Sequence, residues 1–383
     1  MTRLAFGFMT GTSCDGLDAA AVAAEGAGLD VRCRIGATVS LDFGALAEPV
    51  RALARGRAAS AGDIARLSLD LAELHAEGVR RLRAEAGDPD LVCVHGQTVF
   101  HDPPASWQLV NPWPIARAAG CPVLTDLRAA DLAAGGQGAP ITPVADWILF
   151  RSGAETRVIV NLGGFCNITL LPAGAGLEAI HARDVCACNH ALDAAARRAL
   201  DAPFDADGAG ASRGEPDARA TESLAAILSA QATAGRSLGS ADEADAIARW
   251  LDTHAGLAPA DLLTSATAAV ASVIAGTLNA LHPPPQRILI AGGSVRNRAL
   301  VRAIAERAGA GVSTTADSGV DPLYREAAAM AVLGCLAHDG VRCALPHVTG
   351  ADRPILWEGS WTNLAPARMQ GPPTAPTRPT APG

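Results

Sequence analysis

The chain has 383 residues, of which 49% are hydrophobic and 18% charged, and its formal net charge is -8. This length suits two domains of ~150–200 residues, each with an ordinary core. The acidic balance argues against nucleic acid as a partner, and no apolar run reaches the ~18–20 residues of a membrane span. The N-terminus lacks the apolar segment of a signal peptide, so we expect a cytoplasmic protein without a membrane partner.

The sequence contains no lysine, and all 31 residues counted as Lys or Arg are arginine. A chain without lysine cannot use a Walker-A lysine, a Schiff base or a kinase-type catalytic lysine. Any phosphate group must therefore be held by backbone N–H groups, arginine, hydroxyl groups or a metal ion. The nine cysteines include no C-x-x-C pair, which argues against a disulfide framework and is typical of reduced, buried thiols.

The first half is predicted to form four strands and one long helix. The predicted elements are strands at 3–9, 17–25, near 31–40 and at 90–94, and a helix at roughly 62–86. Ser60 and Asp63 have the S-x-x-D spacing of a helix cap. The turn GTSCDG (11–16) lies between the first two strands, and the polar cluster HGQT (95–98) follows the fourth.

The second half repeats this pattern. The predicted elements are a hairpin that starts at 157, helices at 189–201, 217–233, 259–281 and 323–338, and a strand–turn–helix unit at 286–309. Two restarts of a hairpin-plus-helix unit predict a duplicated α/β architecture with a cleft between two lobes. Two unrelated α/β domains are the alternative. Residues 370–383 are Pro-rich and are expected to form a disordered tail.

Two Gly-rich turns are candidates for binding an anion. GTSCDG combines backbone N–H groups with the hydroxyls of Thr12 and Ser13, and Asp15 is a candidate for binding Mg²⁺ directly or through water. The alternative is an ordinary hairpin turn. AGGS (291–294) follows a strand and is predicted to open a helix that continues to about 308, which favours an anion or a nucleotide.

The segment 125–143 places polar residues beside a flexible Gly-Gly-Gln-Gly run. Asp126, Arg128 and Asp131 suit a polyol or carboxylate substrate, because arginine can grip a carboxylate and aspartate can accept from hydroxyls. The alternative is a surface salt-bridge cluster beside a long loop. HGQT directly follows a buried strand, where α/β proteins place ligand groups, although a lone histidine there is often structural.

With these segments in this order, the chain resembles the anhydro-N-acetylmuramic acid kinases of the actin, hexokinase and sugar-kinase superfamily. The resemblance covers about residues 3–357. The segments that carry it include GFMTGTSCDGLDAA, VHGQTVFHDP, LRAADLAAGGQGAPITPVAD, VNLGGFCNIT, LIAGGSVRNRAL and GVDPLYREAAAMAVLG. It implies an α/β fold of two actin/hexokinase-like (ribonuclease H-like) lobes that close over ATP. The predicted boundaries are 1–131 plus 339–369 for the first lobe and 132–338 for the second.

The resemblance also implies a reaction. Water opens the 1,6-anhydro ring, and ATP with Mg²⁺ phosphorylates O6, which gives N-acetylmuramic acid 6-phosphate and ADP in the recycling of cell-wall sugar. Asp184 would act as the general base on water. The sugar side is predicted to consist of His95, Gln97, Thr98, Asp126 and Arg128. The ATP side is predicted to consist of Gly11, Thr12, Ser13, Cys14, Asp15, Gly16, Leu17, Asp18, Asn161, Gly163, Gly164, Asn167, Gly292 and Gly293. Family members often form homodimers, so a homodimer is one assembly to expect.

One stretch departs from the family pattern. Where the family reads D-T-G-P-G-N-A-L-x-D, residues 184–193 read DVCACNHALD, and Cys186 and Cys188 replace two glycines. If these positions need φ > 0, each Cβ costs roughly 1–2 kcal/mol, and the sulfur atoms would crowd the phosphates. Replacing both cysteines by glycine would then raise the rate or tighten ATP binding.

The same stretch has other interpretations. A structural zinc site needs four ligands, and only Cys166 is a further candidate, whereas a redox pair normally has C-x-x-C spacing. We favour a substituted phosphate loop. For the whole protein we favour a working kinase over a catalytically weak or inactive relative, because Asp184, Arg128 and the GGQG run are retained. A kinase for a different amino sugar is the third hypothesis.

Overall fold

The computed structural model describes residues 2–232, 244–353 and 359–362. The strands are β1 (Thr2–Thr10), β2 (Gly16–Glu25), β3 (Arg32–Asp42), β4 (Leu91–Val94), β5 (Gln97–Asp102), β6 (Ala105–Leu109), β7 (Val123–Thr125), β8 (Arg157–Leu162), β9 (Phe165–Leu171), β10 (His181–Ala187), β11 (Arg287–Ala291), β12 (Gly311–Thr314) and β13 (Ser360–Trp361). The helices are α1 (Ala47–Ala54), α2 (Ala61–Ala86), α3 (Pro112–Ala119), α4 (Ala129–Ala133), α5 (Pro143–Phe150), α6 (Asn189–Leu200), α7 (Ala218–Ala232), α8 (Ala244–Thr253), α9 (Pro259–Asn279), α10 (Arg298–Arg307), α11 (Arg325–His338) and α12 (Pro346–Thr349).

The strands form two mixed sheets and the separate hairpin β5–β6. The first sheet has the order β13–β7–β4–β1–β2–β3, and the second has the order β10–β9–β8–β11–β12. When the strands of each sheet are counted in chain order, the first pairs antiparallel with the second and the second antiparallel with the third. The first also pairs parallel with the fourth. Apart from the short strand β13, both sheets share the order 3-2-1-4-5 of the ribonuclease H-like fold. The predicted duplicated α/β architecture is confirmed.

Helices cover both sheets, which explains why the central strands are apolar over their length rather than alternating. In β8, Val158 to Leu162 are all buried. In β1, helix α11 crosses so closely that a Cβ added to Gly7 would lie 2.0 Å from the carbonyl oxygen of Ala327. Only glycine permits this approach between helix and strand.

The helix predicted at 62–86 is confirmed as α2, and its cap forms as the spacing suggests. Ser60 Oγ accepts from the N–H of Asp63 (3.2 Å), while the Asp63 side chain accepts from the N–H of Ser60 (3.3 Å). This reciprocal pair satisfies two N–H groups that the first turn would otherwise leave without partners.

Helices α5 and α11 pack between the two halves. Their buried side chains share one core cluster with residues of the first sheet and with Ile159 and Leu289 of the second. Within it, Nε of Arg325 donates to Oδ1 of Asp146 (2.8 Å), and both side chains are fully buried. The predicted lobe boundaries remain a proposal. The packing of α11 on β1, β2 and β4 favours moving this helix from the predicted second lobe to the first.

Helix α9 is long and apolar enough to cross a membrane by length and composition, with 21 residues and a mean hydropathy of 1.4. The sequence analysis predicted that no apolar run reaches the length of a membrane span. However, 78% of its apolar window is buried inside the protein, where α6, α7 and α10 surround it. We therefore interpret α9 as the core helix of the second half. The predicted tail, 370–383, lies outside the described residues.

Candidate active site

The turn between β1 and β2, residues 11–16, presents polar groups outward. Thr12 and Ser13 are exposed, and their N–H groups donate to no backbone carbonyl within the described residues. A hydrogen bond within the turn stabilises it, in which the N–H of Cys14 donates to the carbonyl oxygen of Gly11 (3.3 Å). Ser13 Oγ donates to Oδ1 of Asp15 (2.6 Å). The hydroxyl of Thr12 and the N–H groups of Thr12 and Ser13 are thus available to an oxyanion.

The other predicted residues of this turn contribute backbone rather than side chains. Cys14 and Leu17 are buried in the core, and Cys14 has a φ of 51°, in the left-handed region that non-glycine residues seldom adopt. Gly16 begins β2. The carbonyl oxygen of Gly11 accepts from Nε2 of Gln97 (3.2 Å), which joins the turn to the HGQT cluster.

The equivalent turn of the second sheet, Gly163 and Gly164 between β8 and β9, is covered by α6. The carbonyl oxygen of Gly163 accepts from the N–H of Asn189 (3.1 Å), and that of Gly164 accepts from Cys188 (2.9 Å) and His190 (3.3 Å). These three N–H groups belong to the start of α6 and therefore do not face outward as phosphate donors.

The two turns meet at Gly164. A Cβ added there would lie 2.3 Å from Nε2 of His190 and 2.6 Å from Oγ1 of Thr12. His190 also lies against the ring of Phe165, with 4.8 Å between ring centroids. The first turn, the second turn and the start of α6 therefore form one continuous surface, and a Cβ at position 164 would have to displace the side chains of His190 and Thr12.

A row of polar side chains crosses three strands of the second sheet. Asn161 on β8 is opposite Asn167 on β9, and Asn167 is opposite Asp184 on β10. Residues directly opposite each other in antiparallel strands share a face, so these three side chains lie on the same side of the sheet. Asp184 is half-buried, at a register shift between Asp184 and Cys186. Nδ2 of Asn161 donates to Oε1 of Glu326 (3.3 Å).

Arg128 stands close to Asp184 and is fixed by His95. Nε and Nη2 of Arg128 lie 3.1 and 2.8 Å from Nε2 of His95, and Nη1 donates to the carbonyl oxygen of Gly138 (2.6 Å). Burial lowers the pKa of Arg128 to about 10, and the charges of Asp184 and Glu326 oppose this shift. Arg128 therefore stays positively charged near neutral pH and electrostatically coupled to both carboxylates.

His95 is a neutral acceptor in this arrangement. Its Nδ1 lies 2.8 Å from the carbonyl oxygen of Gly96, so Nδ1 carries the proton and Nε2 accepts from Arg128. Burial and then the charge of Arg128 lower the pKa of His95 to about 3. Since both ring nitrogens have protein partners, His95 positions Arg128 and leaves the guanidinium to meet a ligand.

The remaining residues predicted for the sugar side differ in accessibility. Gln97 is fully buried, whereas Thr98 and Asp126 are half-buried. Asp126 has a φ of 58°, and such non-glycine residues cluster at functional sites. Asp131 does not join this group, because its carboxylate accepts from the N–H of Gly138 (2.7 Å) and from Oγ1 of Thr349 (2.6 Å). It holds the GGQG loop in place.

The AGGS turn reaches the same region, but not as the start of an α-helix. A 3-10 turn, Gly293–Arg296, follows β11, and α10 begins only at Arg298 with Asn297 as its cap. The prediction of a helix N-terminus at Gly-Gly is therefore wrong. Gly292, with a φ of 91°, packs against the second turn, since an added Cβ would lie 2.7 Å from the carbonyl oxygen of Leu162. Ser294 Oγ contacts Oδ1 of Asn189.

Several carboxylates face one another at this site. Burial raises the pKa of Asp193 to about 6, and Asp15 contributes to the shift. Burial also raises the pKa of Asp18, with a further contribution from Asp15, and the pKa of Glu326, with one from Asp18. No group of three metal-binding side chains occurs in the described parts of the chain. Mg²⁺ usually takes one or two carboxylates with water and substrate phosphates, and Asp15 with Asp18 or Asp193 fits that pattern.

The cysteines at 186 and 188 do not crowd this site. Both are fully buried in the core beneath the second sheet. Cys188 has a φ of -112°, and Cys186 is not among the described residues of positive φ. Their Cβ atoms therefore cause no left-handed strain, and the expected cost and crowding at the phosphates are wrong. Burial, followed by Cys186 and Cys188, raises the pKa of Cys166 well above its ordinary value, so this thiol stays protonated.

Two residues of the site were missed from the sequence. Glu326 lies in α11, more than 140 residues after Asp184, and only the packing of that helix brings it to Asn161. His190 follows the cysteines directly, but nothing in its sequence neighbours indicates contact with Gly164 of the preceding hairpin. A search for acidic residues at helix starts would have found Glu326 as one of many candidates.

The sequence matches the family described as anhydro-N-acetylmuramic acid kinase over residues 3–361. The chain is similar to the anhydro-N-acetylmuramic acid kinase of Salinibacter ruber, with 37% identity across 91% of this chain and 94% of the relative. It is also similar to the protein of the same description from Xanthomonas campestris pv. campestris, with 35% identity across 92% and 96%.

Among solved structures, the chain is similar to the activator of 2-hydroxyisocaproyl-CoA dehydratase from Clostridium difficile with bound ADPNP. The TM-score is 0.44, the sequence identity is 12%, and the similarity covers 88% of this chain and 96% of the other.

Proposed function

Because the chain belongs to the anhydro-N-acetylmuramic acid kinase family, it is a phosphotransferase of the sugar-kinase type, and we propose its reaction in detail. The proposed substrate is 1,6-anhydro-N-acetylmuramic acid. Water opens the anhydro ring, ATP phosphorylates O6, and N-acetylmuramic acid 6-phosphate and ADP are released. The proposed setting is the cytoplasm, where ATP is available, and a homodimer is the proposed assembly.

The position of Asp184 in the polar row of the second sheet, where it is electrostatically coupled to Arg128, is the observation that carries this proposal. The electrostatic coupling of Arg128 to Asp184 favours the ionised form of the carboxylate, which is the form that can accept a proton. His95 and the carbonyl oxygen of Gly138 fix the guanidinium. A half-buried carboxylate on a rigid strand, next to a fixed cation, suits general-base catalysis on a bound water molecule.

The proposed reaction has two steps, ring opening by water and phosphoryl transfer to O6. As the water oxygen attacks C1 of the sugar, Asp184 takes one water proton, and the bond from C1 to the bridging oxygen breaks with its electron pair left on O6. O6 then attacks the γ-phosphorus of ATP in line, and the bond to the β-phosphate oxygen breaks to release ADP. Such a transfer depends mainly on positioning and charge neutralisation.

The triphosphate is proposed to lie against the first turn. Thr12 offers an exposed hydroxyl there, and Thr12 and Ser13 offer N–H groups, whereas the N–H groups at the start of α6 are already bound to Gly163 and Gly164. Asn161, Asn167, Gly292 and Gly293 remain proposed boundaries of the ATP side. Mg²⁺ held by Asp15 with Asp18 or Asp193 would neutralise phosphate charge, which no lysine can do in this chain.

The alternative of a weak or inactive relative rested on Cys186 and Cys188 in a phosphate loop. The backbone at these positions is not left-handed, and the burial of both cysteines in the core argues against sulfur atoms at the phosphates. Active turnover is therefore the function that the geometry supports best, while the identity of the amino sugar is decided by experiment.

The direct test is ADP release from ATP and Mg²⁺ by the purified protein, with and without 1,6-anhydro-N-acetylmuramic acid. We expect release only with the sugar. In ¹⁸O-labelled water the product should carry one label at C1 and none in the phosphate. ADP release with N-acetylglucosamine but not with the anhydro sugar would identify a kinase for another amino sugar. Release without any sugar would contradict the proposal.

A further inference from the structure

A second cavity lies on the opposite face of the strand that carries Asp184. Its volume is about 290 Å³, and it is lined by residues of β9 and β10, the segment after α9, and α12. Arg183 is opposite Ile168, and His181 is opposite Leu170. Because side chains alternate along a strand, these residues face away from the row that contains Asp184. The cavity is thus separate from the active site but shares its strand.

Basic and imidazole side chains surround this cavity, above an apolar floor. Ile168 and Leu170 form the floor, while His181, Arg183, His282 and His347 stand around it. Nε2 of His347 lies 3.0 Å from the carbonyl oxygen of Ile180. Within the described residues, the side chains of Arg183 and His181 take part in no hydrogen bond or ion pair, so their side-chain donors are available to a ligand.

We propose that this cavity binds a small phosphate monoester with a sugar-sized carbon body. Arginine presents a planar fork of donors that suits phosphate oxygens, and the imidazoles of His181 and His282 add donors around it. Several converging donors suit the three terminal oxygens of a phosphate monoester better than the two oxygens of a carboxylate. The apolar floor and the volume fit one sugar ring rather than a nucleotide.

The same placement couples the cavity to catalysis. Arg183 and Asp184 are adjacent on β10, an edge strand, and the register shift begins at Asp184. A ligand held by Arg183 therefore acts on the backbone that positions Asp184. This coupling rests on the proposed function, whereas the binding itself does not.

Binding is tested by isothermal titration calorimetry of the full chain with glucosamine 6-phosphate, glucosamine and orthophosphate. Glucosamine 6-phosphate should bind, orthophosphate should bind at least about tenfold more weakly, and glucosamine should show no binding. Arg183→Gln should weaken glucosamine 6-phosphate about tenfold or more, since a charged hydrogen-bonding partner is lost. His282→Gln should weaken it by a smaller factor.

Arg128→Gln is the matched control, because it removes the same charge from the active site. It should change the affinity for glucosamine 6-phosphate less than about twofold. Loss of binding in Arg128→Gln but not in Arg183→Gln would place the ligand in the active site and overturn the proposal. Equal affinity for orthophosphate, or no binding of either phosphate, would overturn it as well.

The coupling has its own readout, the kcat for ADP release with saturating substrates. Saturating glucosamine 6-phosphate should change kcat at least about twofold in the wild type, and the same change in His282→Gln should require a higher concentration of glucosamine 6-phosphate. An unchanged wild-type kcat would overturn the coupling. Because calorimetry needs no turnover, failure of the proposed kinase reaction would not be confused with failure of the binding site.

Discussion

The first turns of the two sheets occupy equivalent places in the duplicated fold but have different surroundings. The turn at 11–16 keeps Thr12 and Ser13 exposed. The turn at Gly163 and Gly164 receives three hydrogen bonds from the start of α6 and is covered by the ring of His190. Duplication of a fold therefore does not duplicate a binding surface, because the element that docks on a turn changes which groups stay available: here the N–H groups at the start of α6 are used on the carbonyl oxygens of Gly163 and Gly164.

This comparison also explains how the cysteine loop can depart from its family pattern. In this chain, the stretch before α6 is part of the core and braces the second turn. We propose that phosphate binding falls mainly to the first turn, whose sequence follows the family. The following predictions test that division of roles.

The largest expected effect is on stability. Replacing Cys186 and Cys188 together by glycine should lower the free energy of unfolding by about 3–5 kcal/mol, because it removes two buried side chains and adds backbone freedom. The KM for ATP should stay within about twofold. Denaturant unfolding and steady-state kinetics measure the two quantities.

The control for the cysteines is the double substitution by alanine, which retains both Cβ atoms and should lose about half as much stability. ATP binding that became fivefold tighter in the glycine variant would show that the cysteine side chains crowd the phosphates. That result would contradict the division of roles between the two turns.

The next effect concerns the contact between the turns. Gly164→Ala should raise the KM for ATP about tenfold or more, because the new Cβ would displace the His190 ring and the Thr12 hydroxyl, which is proposed to bind the triphosphate. Gly163→Ala is the matched control, since its Cβ would lie no closer than 3.3 Å to another residue. Adding His190→Ala to Gly164→Ala should rescue part of the loss. Equal effects of the two single variants would argue against contact between the turns.

The smallest effect is a pH dependence of Mg²⁺–ATP binding. Burial raises the pKa of Asp193 to about 6, so this carboxyl is largely protonated at pH 5 and ionised at pH 7. Because cation binding requires the ionised form, affinity should increase severalfold, at most about tenfold, over this interval. Calorimetry with a non-hydrolysable ATP analogue measures it.

The same shift has a consequence for the protein without ligand. The pKa of Asp193 is higher in the folded than in the unfolded state, so the folded state binds more protons between about pH 4 and 6. Stability should therefore fall as pH rises through that interval, and Asp193→Asn should reduce the fall. Asp193→Asn should also flatten the pH dependence of Mg²⁺–ATP binding; an unchanged profile would assign the effect to another carboxylate.

Much of the fold could be predicted because its signals are local. The apolar runs of β1 and β8, the cap at Ser60 and the helical spacing of α2 all depend on neighbours in the sequence. The packing of α11 onto the first sheet could not be predicted in this way, because it depends on the close approach at Gly7. The 3-10 turn after Gly292 was missed for a similar reason, since contact with Leu162 shapes it.

The candidate site shows the same limit. Asp184 and Arg128 were proposed through the resemblance to a family, and their charges are coupled in the structure. The sequence could not show that His95 uses both ring nitrogens within the protein or that Glu326 approaches Asn161. These are contacts between distant segments. The backbone angle φ of Cys188 could not be predicted either, because the sequence does not show which φ a cysteine adopts where the family has glycine.

The most direct measurement of the central claim is turnover and nucleotide binding by Asp184→Asn. This variant keeps the shape of the side chain but cannot accept a proton from water. We expect sugar-dependent ADP release to fall by about 10²–10⁴-fold, while the affinity for a non-hydrolysable ATP analogue stays within about twofold. Normal turnover in Asp184→Asn would contradict the assignment of Asp184 as the base, and with it the proposed mechanism.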